Sequence, residues 1–270
     1  MSHISGIRGR RPGPRRAAGR GLGSGSPGFG TLARTELRMF LREPLALFWG
    51  VVFPLVLLIV IGTATGNKHR AIYGGLRFID VYTPVLIVFV FGIVGLQAMP
   101  ATLVSYREKG YLRRLSTTPI GAARLLQAQW LIYTTLCLAA AVVTVLVAAI
   151  AFSVHLPTQF LGFVVILLLT AGAMLAIGTL IASIAPQPRA SQLIGALLFY
   201  PMMFFAGLWV PQASMGETLR TIGHATPLGA AVDGLSSTLA GQWPPGWCFL
   251  CLIAWTVIGG RVAVRVFRWE

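Results

Sequence analysis

The chain has 270 residues, 56% of them hydrophobic and 11% charged, with a mean hydropathy of +0.76, a balance that excludes an ordinary cytosolic enzyme with a polar surface. Twenty-two Lys and Arg against seven Asp and Glu give a formal charge of +15. On a soluble protein that excess would point to nucleic acid, but here it lies outside the apolar runs, as in a membrane protein with positive cytoplasmic loops.

Residues 1–30 hold six arginines among Gly, Pro and Ser and contain no apolar run. Such a segment buries too little surface to offset the entropy of ordering, so it reads as a disordered basic cytoplasmic tail. No apolar run follows the basic residues before Leu45, which argues against a secretory or twin-arginine signal. From Thr31 to Glu43, helical spacing puts Ala33, Leu37, Phe40 and Leu41 on one face and Arg34, Arg38 and Arg42 beside it. This pattern predicts an amphipathic interfacial helix over 31–43, its apolar face among acyl chains and its guanidinium groups on anionic headgroups. Pro44 ends it.

A bilayer core of ~30 Å needs ~20 apolar helical residues. Six stretches meet that need, at about 45–65, 81–104, 125–153, 158–184, 190–210 and 246–264. The third and fourth are joined by the turn Val154-His155-Leu156-Pro157 and form a helical hairpin. Gly172 with Ala176, and Ser191 with Gly195, have the spacing that lets membrane helices approach closely. Segments 1–44, 105–124 and 185–190 and the C-terminal Arg261, Arg265 and Arg268 hold eighteen of the twenty-two Lys and Arg. Both termini are therefore expected in the cytoplasm, with 265–270 as a short C-terminal tail.

No G-x-x-x-x-G-K-[ST] stretch is present, so ATP must be handled by another chain. There is no G-x-S-x-G elbow. His3, His69, His155 and His224 fall in expected tails or loops, without companions at metal-ligand spacing. Cys137, Cys248 and Cys251 sit in or beside apolar stretches, where the C-x-x-C spacing of the last two places small side chains on one helix face rather than building a redox or zinc site. The first five expected spans carry no Asp, Glu, Lys or Arg, and the sixth has only Arg261 at its end. Ion-coupled transporters need ionisable groups at membrane depth. A pump driven from outside the membrane does not.

In the loop 105–124, Tyr111, Leu112 and Leu115 form an apolar ridge flanked by Arg113 and Arg114 and preceded by Arg107-Glu108-Lys109, and Thr118-Pro119 ends the helix-capable part. A short helix with apolar anchors and a basic rim suits docking on another protein, while a loop that merely fixes topology would have the same charge. Residues 211–245 are rich in Gly and Pro yet too apolar for a wholly solvated loop. Met215, Leu219 and Ile222 can share a helical face, and 228–239 is a second apolar patch.

These pieces together resemble the ABC-2 type permeases, membrane subunits of ATP-binding-cassette exporters. Arg34-x-Glu36 through Arg42-Glu43-Pro44-Leu45-Ala46-Leu47, with Phe53-Pro54, is similar to the opening of that family. Arg107-Glu108-Lys109-Gly110, Leu112-Arg113-Arg114-Leu115 and Thr117-Thr118-Pro119 resemble its first intracellular loop. Phe204-Phe205-Ala206-Gly207-Leu208-Trp209-Val210-Pro211 resembles the end of its fifth span, and Ala225-Thr226-Pro227-Leu228 with Ala230-Ala231 the motif before its sixth.

The resemblance implies an all-α integral membrane protein with a transmembrane domain over 31–264. It would have six transmembrane helices, the N-terminal interfacial helix, a cytoplasmic coupling helix and two short outer-leaflet helices before the last span, with Glu217, Arg220, His224 and Asp233 near the outer mouth. The chain would not be an enzyme by itself. It would bind no cofactor and no nucleic acid, and ATP and Mg would sit on two copies of a separate ABC ATPase subunit, with a second permease chain completing a homodimer or heterodimer in the plasma membrane.

The coupling helix would contact the ATPase through Arg107, Glu108, Lys109, Tyr111, Leu112, Arg113, Arg114 and Leu115. The interfacial helix would act through Arg34, Leu37, Arg38, Phe40, Leu41 and Arg42. An uncharged pathway suits amphipathic cargo, with Phe53, Gln97, Phe199, Tyr200, Phe204 and Phe205 as candidate contacts, each of which also suits lipid contact or packing. The resemblance points to drug- and antibiotic-exporter permeases of the daunorubicin-resistance type. A permease for a lipid-linked glycan or lipid, and a non-transport scaffold or sensor subunit, are the alternative expectations.

Overall fold

The computed structural model describes residues 48–66, 75–109 and 121–266, without the side chains of residues 49, 51 and 121–125. The tail expected at 1–30, the interfacial helix with Arg34, Leu37, Arg38, Phe40, Leu41 and Arg42, and the loop residues Tyr111, Leu112, Arg113, Arg114 and Leu115 lie outside the described residues.

The regular elements among the described residues are helices. A π-helical turn, Phe48–Val52, leads into α1, Phe53–Thr65. The long helix α2, Phe78–Glu108, contains a π-helical turn at Val94–Ala98. Then follow α3, Gly121–Phe152, α4, Phe160–Ile184, and α5, Pro188–Ala206. Two short helices, α6 (Glu217–Ala225) and α7 (Pro227–Leu239), precede α8, Gly246–Val266. Runs such as Val85-Leu86-Ile87-Val88-Phe89-Val90 suit a strand in water. In hydrocarbon the backbone must satisfy its own polar groups within the segment, and a helix does so. Buried hydroxyls follow the same rule: Thr83, Thr144, Thr170 and Thr179 each donate to the carbonyl four residues earlier.

Among the described residues four helices are long and apolar enough to cross a membrane: α2, the Leu126–Phe152 part of α3, α4 and α8. Helix α5 has 19 residues, about 28 Å at ~1.5 Å per residue, but Arg189, Gln192, Tyr200 and two prolines dilute its apolar character. Helix α1 is a shorter apolar helix.

The second expected span, 81–104, is extended at both ends. At the start, Asp80 falls in the first turn of α2, where a carboxylate is favoured by the helix dipole. At the other end, residues 105–108 continue the helix instead of opening a loop, since no residue there breaks it before Lys109. Between α3 and α4 residues 153–159 are not helical, and Ser153 is in the left-handed region at φ 53°.

Helix α2 runs through the middle of the bundle, and Leu86, Ile87, Val88, Phe91, Leu96 and Met99 on it are inaccessible. At its π-helical turn, α4 and α5 approach from two sides. A methyl group at Gly178 would fall on the carbonyl oxygen of Gly95, and one at Gly195 on that of Leu96. Lipid tails leave little hydrophobic drive between helices, so such backbone-to-backbone packing is what holds them. Of the small residues read from the sequence, Gly195 makes such a contact with α2, Ala176 lies close to Gly259 of α8, and Gly172 meets only the Thr256 side chain.

Thr226 accounts for the start of α7. Its hydroxyl accepts from the Gly229 amide at 3.1 Å while Pro227 fills the first helical position. Nine of the thirteen residues of α7 are buried, so this helix belongs to the core and not to a solvated loop.

Candidate functional site

Three places in the bundle bear on function. The first is the end of α2 that leads to residues 110–120, which lie outside the described residues. Arg107 turns inward: Nη1 donates to the Ala182 carbonyl at 3.2 Å and Nη2 to the Ala185 carbonyl. These are the last carbonyls of α4, which lack helical partners and carry the negative end of its dipole, so a guanidinium there is well placed. Nearby, the hydroxyls of Thr102 and Tyr133 are 2.9 Å apart, and the Trp130 indole N–H donates to Thr179 Oγ1 at 3.2 Å. Helices α2, α3 and α4 are thus tied together beside the loop. Of the residues expected to face an ATPase, Glu108 and Lys109 are exposed, whereas Arg107 is spent on α4. Thr102, Trp130, Tyr133 and Thr179 escaped the sequence reading. The signal was present in Trp130 and Tyr133, two aromatics with polar tips at one end of a span.

The second place is the middle of the bundle, where an aromatic chain runs from α1 to α5. Phe53 and Phe89 have ring centroids 5.4 Å apart, Phe89 and Phe199 5.3 Å, and Phe199 and Tyr200 5.6 Å. Three of the candidate pathway residues are therefore joined through Phe89, which the sequence did not single out because it sits in a uniformly apolar run. Phe199 is buried, Phe53 half-buried and Tyr200 exposed. Gln97 is half-buried and its side chain lies against Gly195. Phe204 and Phe205 contact each other edge to face at 5.4 Å, apart from this chain of rings.

The third place is a cavity of about 820 Å³ at the opposite end of α2 from the loop. It is bounded by the start of α2, the turn after α3, helices α6 and α7 and the start of α8. The Arg77 guanidinium and the Asp80 carboxylate form one wall. Asp80 Oδ2 accepts from Arg77 Nε at 2.9 Å and from its backbone amide at 3.1 Å, and Oδ1 accepts from Nη2 at 2.7 Å. The same guanidinium donates to the carbonyls of Phe152 at 2.8 Å and Ser153 at 3.1 Å, the terminal groups of α3.

On the other wall, His224 Nε2 lies 3.3 Å from Asp233 Oδ2, and the His224 ring stacks on Trp247 with centroids 4.4 Å apart. Burial raises the Asp233 carboxyl to about 7, against a smaller downward pull from Arg220. Burial, and secondarily Arg220, lowers the His224 imidazole. The pair is thus biased toward its neutral forms near pH 7.

Of the four groups expected near an outer mouth, Arg220, His224 and Asp233 line this cavity and Glu217 is exposed away from it. His224 sits on a helix and not in a loop, and Asp233 is largely buried, not a solvated loop charge. Arg77 and Asp80, also in the wall, were not singled out in the sequence. The three cysteines are unpaired thiols, and Cys251 donates to the Ala225 carbonyl at 3.5 Å. Among the described residues no group of His, Cys, Asp and Glu is arranged to hold a metal ion.

A family model described as "ABC-2 type transporter" matches residues 27–240 of the chain. No curated protein matches it.

Proposed function

The chain belongs to the ABC-2 type transporter family, and from that premise we propose that it is the permease of an exporter moving an amphipathic compound, such as a drug or antibiotic, out of the cell. As an ABC-2 membrane domain it is the permease component of an ABC transporter, a multi-pass membrane protein that is not itself catalytic and works with an ATPase subunit. In the proposed assembly six spans cross the plasma membrane with both termini in the cytoplasm. Two permease chains, the same or related, stand over two ATPase subunits that bind ATP and Mg. The exposed stripe of Leu193, Leu197 and Tyr200 on α5 suits lipid or the second permease chain.

The observation that carries this reading is the placement of α2. One end borders the largely apolar cavity and the other leads to residues 110–120, and an arginine at each end grips the terminal carbonyls of a different helix. A push on residues 110–120 would be passed from α2 to α4 through Arg107. Transport requires that nucleotide and cargo favour different arrangements of these helices. The loop residues Tyr111, Leu112 and Leu115 would seat in the ATPase, with Glu108, Lys109, Arg113 and Arg114 around them and Arg107 as the positioning group behind them. The helix at 31–43 would carry the same motion along the membrane surface. Cargo would pass the aromatic chain from Phe53 to Tyr200.

Purifying the full chain in mild detergent and identifying the bound proteins tests this assignment. Recovery of an ABC ATPase whose hydrolysis responds to amphipathic compounds is expected. Recovery of the permease with no ATPase, from membranes that contain one, would favour a scaffold or sensor subunit.

A further inference from the structure

We propose that the cavity between α2, α6, α7 and α8 is a binding site for an organic cation with an apolar body, its charge set against the Asp233 carboxylate and its body against the Trp247 indole. This goes beyond export: binding at the site requires neither an ATPase nor movement across the membrane.

The dimensions and lining come first. A volume of about 820 Å³ falls within the ~300–1,000 Å³ of small-molecule sites, which are mostly apolar with a few placed polar groups. Val81, Val85 and Val232 supply apolar wall here. The charged groups then divide into satisfied and unsatisfied. Asp80 is satisfied, because its two oxygens accept three hydrogen bonds from Arg77. Asp233 is not: its Oδ2 is buried and accepts no well-directed hydrogen bond, although the His224 ring stands 3.3 Å away. The remaining surface of that side chain, about a quarter of its full exposure, is on its other atoms and faces the cavity.

A desolvated carboxylate in this state gains most from a positive charge brought to it. The charged form of His224 is disfavoured by burial and, secondarily, by Arg220. Arg220 is exposed at the rim and, among the described residues, is in ion-pair contact with no carboxylate. Its charge pulls the Asp233 carboxyl down by less than burial raises it. The indole of Trp247 is held by the stacked His224 ring, and an aromatic face beside a carboxylate is a recurrent receptor for organic cations.

Protons compete with the ligand. The groups that face Asp233 are Arg77, Asp80, His155, Arg220 and His224, with the Cys248 thiol of α8. As pH falls through about 7, Asp233 takes up a proton and cation binding weakens.

The probe is tetraphenylphosphonium, titrated by equilibrium dialysis into the full chain in phosphatidylcholine nanodiscs without nucleotide, with empty nanodiscs subtracted. Tetraphenylborate, of the same shape and opposite charge, is run in parallel. Saturable binding of the cation alone is expected, about tenfold weaker or more in Asp233→Asn, the loss of roughly one charge interaction, and about two- to fivefold tighter in Arg220→Gln, which removes a like charge from the rim. Unchanged cation affinity in an Asp233→Asn protein of normal melting temperature, or equal saturable binding of the borate, would overturn the site. Should Asp233→Asn fail to fold, wild-type affinity in both Arg220→Gln and Trp247→Leu would overturn it. Loss of ATP-driven transport with cation binding intact would count against the export reading alone.

Discussion

The Arg77 guanidinium holds the Asp80 carboxylate at two points, Nη2 to Oδ1 at 2.7 Å and Nε to Oδ2 at 2.9 Å, while its remaining donors reach the end of α3. Both side chains are largely buried. Removing one member of such a pair strands the other's charge, at a cost of about 3 kcal/mol or more. We expect Asp80→Asn and Arg77→Ala each to lower the melting temperature of the purified protein clearly, with Arg77→Ala worse because it also frees the Phe152 and Ser153 carbonyls. Melting temperatures within a degree of wild type for Arg77→Ala would show that the clamp contributes nothing.

Gly178 and Gly195 test the packing at the π-helical turn of α2. A methyl group at either meets backbone, which cannot swing aside as a side chain can, so Gly178→Ala should destabilise by about 1–3 kcal/mol. Gly260 on α8 has open space around it, and Gly260→Ala should be neutral or stabilise by up to about 1 kcal/mol. Denaturant titration in detergent compares the two; equal effects would contradict the close approach of α4 to α2.

Orientation is open to chemical labelling. Lys109 and Ala240 are both exposed and lie toward opposite ends of the bundle. In intact cells a membrane-impermeant maleimide should label Ala240→Cys and should reach Lys109→Cys only after the cells are opened. Cys137 and Cys248 are buried and Cys251 half-buried, which keeps the background low. Labelling of Lys109→Cys in intact cells would reverse the proposed topology.

The Asp233 carboxyl gives stability a pH dependence of definite sign. Its pKa is raised by burial from 3.8 to about 7, so between those values the folded chain holds a proton that the unfolded chain has released. Stability from this group is full below pH ~4 and is lost as pH rises through about 7. His224, lowered from 6.5 by burial and then by Arg220, acts in the opposite sense, favouring the fold as pH rises through the window below 6.5. Asp233→Asn removes the first contribution, so its melting temperature relative to wild type should increase from pH 5 to pH 8. A constant difference across that range would mean that Asp233 titrates as an ordinary exposed carboxyl.

What the sequence made legible was the apolar architecture. Apolar runs and the break at Val154–Pro157 are local signals, and α4 and α8 lie in such runs, whereas the Thr226 cap that starts α7 went unread. The ends of α2 were less legible, because a charged residue inside an apolar helix reads as a boundary until its partner is known. Asp80 is compatible with the helix only because Arg77 closes on it, and Arg107 only because the end of α4 meets it. The site at Asp233 was hidden for the same reason: that α6 brings His224 to it, and α8 brings Trp247 to the histidine, depends on tertiary contacts between segments well separated in sequence. Phe89, one of many apolar residues in its run, became distinct only when Phe53 and Phe199 were found on either side.

The central claim is that mechanical work enters this chain from an ATPase through the loop after α2. Its most direct test is uptake of a fluorescent amphipathic compound by inside-out proteoliposomes containing the chain and its copurified ATPase, with wild type compared to Leu115→Asp. The account predicts uptake that needs both proteins and ATP hydrolysis, and that falls severalfold or more in Leu115→Asp because an unpaired carboxylate is buried at the docking ridge. Uptake by the chain alone without nucleotide, or undiminished uptake and ATP hydrolysis in a normally assembled Leu115→Asp complex, would contradict it.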